Sequence, residues 1–119
     1  MTRAVGIGAT SAAVHDDVVA LVREGLAAAG PATVLATLDR REALARGVAH
    51  TLGMDLQLYS AEALTRVPGV RTFSARAAAT VGTPSVAEAA ALAAAGSGAR
   101  LVGGRRTGRM CTCAVAESR

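Results

Sequence analysis

The residues best suited to chemistry in this chain are the arginines near its carboxyl end. Arg105, Arg106 and Arg109 fall within five positions of one another. Residues 1–99 hold eight arginines and eight acids, whereas residues 100–119 hold five arginines and a single acid, which accounts for the whole net charge of +4. A guanidinium group is a planar fork of N–H donors that binds carboxylates and phosphates through two hydrogen bonds. The sequence therefore predicts a local anion site here.

A capped helix begins shortly before these arginines. Ser85 followed by Glu88 forms a capping box, and Thr83 as the cap with Pro84 at the first helical position is an equally sound interpretation. The first N–H groups of a helix are unpaired and lie at the positive end of its dipole. We therefore expect this helix start to contribute to the same anion site.

Further polar residues follow two predicted parallel strands, and in an open α/β sheet the carboxyl ends of such strands are where ligands bind. Taken together, the candidate ligand-binding residues are Thr10, Ser11, Asp39, Arg40, Arg41, Ser85, Glu88, Arg105, Arg106 and Arg109.

No catalytic or metal-binding constellation is visible beside them. His15 and His50 lie on separate predicted helices, and no paired carboxylates indicate general acid–base chemistry. Cys111 and Cys113 are too close in sequence for an unstrained disulfide and lack a second ligand pair, so we expect reduced thiols. No cofactor and no metal are predicted.

Composition excludes two classes of partner. A basic end on a neutral body, with Tyr59 and Phe73 as the aromatic residues, does not indicate a nucleic-acid surface. No stretch approaches 18 apolar residues, and Met1 leads straight into a strand, so neither a membrane span nor a secretory signal is expected. These features predict a cytoplasmic protein.

Strands and helices alternate along residues 1–119, which predicts a single α/β domain. A strand at residues 4–8 runs into a glycine turn, a helix from about Ser11 ends at Gly30, and a continuous apolar strand follows at residues 33–38. Asp39 is expected to cap the second helix.

The second half continues the pattern. The segment 54–59 alternates polar and apolar residues, as an edge strand does, and pairing of this edge with a second copy would give a homodimer. Ser60 and Ser74 are expected to cap two short helices. Strands at 99–102 and 110–116, joined by a basic glycine turn, must be antiparallel. The expected fold is a three-layer α/β/α sandwich with a mixed, mostly parallel sheet.

A nucleotide-binding module is an alternative function. Gly6 and Gly8 after the first strand match the start of a dinucleotide fingerprint, and Asp39 stands where a ribose-binding acid would. The third glycine of that pattern is replaced by Ser11, which makes the match weak.

Five segments in order, covering nearly the whole chain, resemble CobE and the C-terminal domain of CbiG, a family of cobalamin biosynthesis. The segments are Gly6-x-Gly8, Leu35–Asp39, Ser60–Leu64, Ser85–Leu92 and Thr112–Ala116, of which Ser85–Leu92 is the most specific.

This resemblance implies a precorrin or hydrogenobyrinic-acid-type tetrapyrrole as ligand and other corrin-pathway enzymes as partners. It leaves open whether the protein is a non-catalytic accessory protein or part of a cobalt-precorrin-5A hydrolase, which opens a lactone and releases acetaldehyde. The chain departs from the family at residues 9–12, where a basic pair is usual and Ala-Thr-Ser-Ala stands instead.

Overall fold

The fold was derived from a computed structural model that describes residues 2–71 and 85–118. The elements in chain order are β1 (Thr2–Ala9), α1 (His15–Ala29), β2 (Val34–Leu38), a 3-10 turn (Asp39–Arg41), α2 (Glu42–Leu52), β3 (Asp55–Tyr59), α3 (Ala61–Thr65), α4 (Val86–Ala95), β4 (Arg100–Gly108) and β5 (Cys111–Ser118). The helix predicted from Ser74 lies outside the described residues.

The described strands form one sheet in the order β3-β2-β1-β5-β4. β1, β2 and β3 are mutually parallel, and β5 runs antiparallel to both of its neighbours, β1 and β4. β4 therefore has the direction of the parallel strands. The mixed, mostly parallel sheet and the edge position of β3 are confirmed, whereas a homodimer through that edge stays a prediction.

Helices cover both faces of the sheet, because successive side chains of a strand point to opposite sides. Val5 and Ile7 pack into a core with α1 and α2. Ala4, which precedes Val5 and points to the other face, packs with α4 through Ala91 and Leu92. This arrangement is the predicted three-layer sandwich.

The layer formed by α4 lies unusually close to β1. A Cβ atom on Gly6 would lie 2.5 Å from the Ala91 amide nitrogen and closer still to the Ala87 carbonyl oxygen. The predicted glycine turn is wrong, because β1 contains Gly6 and Gly8 and continues to Ala9. Helix backbone passes directly over Gly6, whereas a side chain at Gly8 would meet Thr112 Oγ1.

The helix ends agree with the sequence in some places and not in others. Ser60 and Ser85 cap α3 and α4 through their hydroxyl oxygens, and Gly30 ends α1. The start of α1 at His15 corrects the prediction of Ser11, because Thr10 begins a turn in which its carbonyl accepts from Ala13 N–H. Asp39 does not cap α2; it opens a 3-10 turn instead.

The last hairpin also differs from expectation. The predicted turn at residues 103–109 is mostly strand, and the chain reverses at Arg109 and Met110. Glycine content suggested a loop, but Gly103 and Gly104 fall at a register irregularity between Val102 and Arg106, where an extended edge strand accommodates them. In the described residues, no helix is long and apolar enough to cross a membrane.

At the end of the sheet away from the β4–β5 turn, one carboxylate links three strands. Glu117 of β5 accepts hydrogen bonds from Arg100 of β4 at 2.9 Å and from Arg3 of β1 at 3.1 Å. The hydrogen bond from Arg100 is the largest cause that lowers the pKa of Glu117 below its ordinary value of 4.5.

Replacing Gly6 by Ala should destabilise the fold by about 3 kcal/mol, because the new methyl group meets helix backbone that cannot move aside. The matched control is Gly47→Ala on the exposed side of α2, where the nearest atom to a Cβ is 3.5 Å away. That change should raise the free energy of unfolding by about 0.5–1 kcal/mol. Urea unfolding measures both; equal effects would contradict the close packing of α4.

Acidification should weaken the fold through Glu117. Its lowered pKa means that its contribution to stability is present above about pH 4.5 and is lost as the pH falls through the lower value in the folded protein. Glu117→Gln should therefore flatten the decline of the urea midpoint between about pH 6 and about pH 3. Glu42→Gln, in an exposed pair with Arg46, is the control and should leave most of that decline in place.

Candidate functional site

A cleft of about 780 Å³ opens at the carboxyl ends of β1 and β2. Its volume lies within the roughly 300–1,000 Å³ typical of small-molecule sites. The start of α4 and the β4–β5 hairpin complete its walls. The residues that line it are Gly8, Ala9, Thr10, Ser11, Ala12, Thr37, Leu38, Arg40, Arg41, Val86, Arg105, Thr107, Gly108, Met110, Cys111 and Thr112.

The charge in this cleft is positive. Arg40, Arg41 and Arg105 line it, and no acidic side chain does so among the described residues. The ion pairs formed within the described chain involve other arginines. The three guanidinium groups are consequently available to an anionic ligand.

Arg41 is held in place by the backbone of the neighbouring strand. Its Nε–H donates to the carbonyl oxygen of Ala9 at 2.8 Å, which ties the turn after β2 to the end of β1. A guanidinium group has five N–H donors, so the two terminal nitrogens remain free to donate elsewhere. Arg41 is thus a pre-positioned donor at the wall of the cleft.

Small and hydroxyl-bearing residues form the floor. Thr112 of β5 pairs with Gly8 on one side and with Thr107 on the other. A Cβ atom on Gly8 would lie 2.8 Å from Thr112 Oγ1, so glycine keeps this part of the floor open. Thr37, which is fully buried, donates its hydroxyl proton to the carbonyl oxygen of Ile7 at 2.8 Å.

Two walls of the cleft are linked by a hydrogen bond between their backbones. The Thr10 N–H donates to the Met110 carbonyl oxygen at 3.0 Å, which joins the loop after β1 to the β4–β5 turn. The Thr10 hydroxyl accepts from Ala12 N–H at 3.2 Å and shapes the loop from within. The mouth of the cleft is thereby held by backbone contacts.

Half of the candidate residues from the sequence come together here: Thr10, Ser11, Arg40, Arg41 and Arg105. Ser85 and Glu88 are buried and do not line the cleft. The Ser85 hydroxyl accepts a hydrogen bond from the Glu88 N–H and caps the helix. Val86, the first residue of α4, does line the cleft. The helix start therefore borders the site through Val86, and not through its capping side chain. Asp39 and Arg109 are not among the lining residues.

Arg106 faces the opposite side of the sheet. Its partner in the hairpin is Cys113, whose side chain packs under α1, whereas Thr107 and Thr112 face the cleft. Arg106 lines a separate cavity of about 360 Å³ with Gly25 and Cys113. Arg105 borders both this cavity and the cleft, whereas Arg106 does not line the cleft.

Eleven of the sixteen lining residues were not candidates from the sequence, among them Thr37, Thr107, Met110 and Thr112. Thr37 lies within an apolar run and was assigned to the core. The other three could be placed only once the register of the last hairpin was known, because the reversal at Arg109 and Met110 sets which side each faces.

The cleft is lined by guanidinium groups, hydroxyl groups and apolar side chains. The described residues that line it include no carboxylate or imidazole. Burial, and next the charge of Asp17, raise the pKa of the Cys111 thiol, which keeps it protonated. In the described chain, no cluster of three or more His, Cys, Asp or Glu residues could hold a metal ion.

The buried thiol of Cys113 should be inert in the folded protein. Burial raises the pKa of Cys113 from 9.0 to about 11, which leaves about one hundredth as much thiolate at about pH 8. In a Cys111→Ser variant, where Cys113 is the remaining thiol, native protein should react with an aromatic disulfide reagent at least about 100-fold more slowly than unfolded protein. Equal rates would show that this thiol is accessible and ionised.

Known proteins share this architecture. The family model described as cobalamin synthesis G C-terminus matches residues 3–116. The structure is similar to that of CobE, a protein from the cobalamin (vitamin B12) biosynthetic pathway, with 30% identity, a TM-score of 0.88, and coverage of 99% of this chain and 91% of that one. It is also similar to the cobalamin biosynthesis protein chiG from Agrobacterium tumefaciens str. C58, with 34% identity, a TM-score of 0.77 and 98% coverage of both chains. No curated protein matches in sequence.

Proposed function

The chain belongs to the CbiG C-terminal family of cobalamin biosynthesis, and from that premise we propose that its cleft binds a precorrin-type tetrapyrrole. One observation supports this proposal most directly. Three arginines line a large cleft in which no described acidic residue neutralises them.

The chemistry of the ligand suits this lining. Precorrins are macrocycles with acetate and propionate carboxylates at their edges. Guanidinium groups on separate elements can each take one carboxylate through two hydrogen bonds. Arg40 and Arg41 follow β2, and Arg105 approaches from β4, so they suit carboxylates on different sides of a ring.

The centre of such a ring is less polar than its edge, and the floor of the cleft has the same character. Gly8, Ala9 and Gly108 present little side chain, and Leu38 and Val86 are apolar. The floor can therefore take the ring while the arginines bind its edge. The positive end of the α4 dipole adds partial positive charge near Val86.

We propose binding, and not hydrolysis, as the role of this domain. Opening a lactone requires a base to activate water, and the described lining includes neither a carboxylate nor an imidazole. Release of acetaldehyde from a cobalt-precorrin by this chain alone would contradict a purely binding role. A nucleotide is disfavoured because Gly6 and Gly8 lie within β1 and do not form a phosphate-binding turn.

Replacing Arg105 by Ala should weaken the binding of hydrogenobyrinic acid by about 1–3 kcal/mol, or about 5- to 150-fold, because one charge-assisted contact is lost. Isothermal titration at about 0.15 M salt measures this change while the salt screens distant charges.

Arg106→Ala is the matched control for that titration. It removes the same charge one position along the strand, but Arg106 does not line the cleft, whereas Arg105 borders the cleft and the smaller cavity. We expect its affinity to stay within about twofold of the unmodified protein under the same screening. Equal losses in the two variants would mean that net charge, and not the geometry of the cleft, determines binding. A complete absence of binding by the unmodified protein would refute the proposed function.

A further inference from the structure

Met110 has a backbone conformation that methionine rarely adopts. Its φ angle is 60°, and it is the one non-glycine residue with positive φ among residues 2–71 and 85–118. Left-handed backbone brings Cβ of an L-residue close to a carbonyl oxygen, so such positions are usually taken by glycine or asparagine. Methionine at this position therefore costs conformational free energy in the backbone.

The position in the hairpin makes glycine the expected residue. Gly108 pairs with Cys111, so Arg109 and Met110 are the two central residues of the reversal. Turns with positive φ at the second central residue strongly favour glycine or asparagine there. The needs of the turn therefore do not explain methionine.

The surroundings of the side chain do not explain it either. Met110 is 51% exposed and is one of two large hydrophobic residues so exposed in the described chain, the other being Val14. A methionine that filled a gap in the core would be buried. Met110 instead lines the cleft at its mouth, and its carbonyl oxygen is fixed by the Thr10 N–H.

We infer that Met110 is a ligand-contacting residue that packs its thioether side chain against the apolar face of the bound macrocycle. This inference rests on the proposed function. The arginines bind carboxylates at the ring edge, and the cleft floor takes one face of the ring. The polarisable, unbranched side chain of methionine adapts to an irregular apolar surface, which suits contact with the other face.

Two substitutions separate a ligand contact from a structural role. Met110→Gly should bind hydrogenobyrinic acid roughly five- to tenfold more weakly, because about half of a methionine side chain is no longer buried by the ligand. The same variant should have an unchanged or higher melting temperature, because glycine takes positive φ without strain. Met110→Leu keeps apolar bulk and should bind within about threefold of the unmodified protein.

Val14→Ala is the matched control for exposed apolar surface. Val14 is similarly exposed but does not line the cleft, so the Val14→Ala variant should bind hydrogenobyrinic acid with unchanged affinity. If Met110→Gly binds as tightly as the unmodified protein, or melts at a lower temperature, the inference is overturned. If the unmodified protein does not bind at all, the proposed function fails, which is a different result.

A spectroscopic measurement reports the contact directly. With the methionine methyl groups labelled with carbon-13, uroporphyrin III as an aromatic tetrapyrrole probe should move the Met110 methyl proton signal upfield by its ring current. Met54, which packs against the core beneath α2, is the internal control and should not move. Binding of the porphyrin with an unmoved Met110 signal would place the macrocycle away from this residue and overturn the inference.

Discussion

The close approach of α4 to β1 is the contact on which the rest of the structure depends. The helix backbone at Ala87 and Ala91 passes over Gly6 with no room for a side chain. Ala4 and Ala116 continue the flat surface on the same face. An alanine-rich helix offers little apolar area per residue, so it must lie close to the sheet to exclude water and gain dense contacts. Small residues on both partners are the condition for this.

The same packing creates the cleft. α4 begins beside Gly8, where Val86 and Gly8 both border the open space. The helix therefore covers the sheet only up to this point and places the positive end of its dipole at the edge of the uncovered part. Arg41, tied to the end of β1, and Thr112 on the floor border this opening. Structural packing and the proposed ligand site are two consequences of one helix position.

Which arginines enter the cleft is determined by strand alternation. Adjacent residues of β4 face opposite sides of the sheet, so Arg106 borders the smaller cavity beside α1 and not the cleft, while Thr107 lines the cleft. Arg3 and Arg100, at the other end of the sheet, form ion pairs with Glu117. The excess of arginine in the last 20 residues is thus divided among different faces and ends of the sheet.

The sequence by itself determined the order of the elements, the layer architecture, the caps at Ser60 and Ser85, and the edge position of β3. These follow from local chemistry and from the periodicity of apolar residues, which act within one element. It also indicated five of the residues that line the cleft, because strand ends in an α/β sheet converge. The tertiary structure alone decided that a helix backbone packs directly on Gly6, that residues 103–108 are strand, and that Met110 stands at the cleft. Each of these depends on a partner distant in sequence: the backbone of α4 for the glycine, and the register with β5 for the last hairpin.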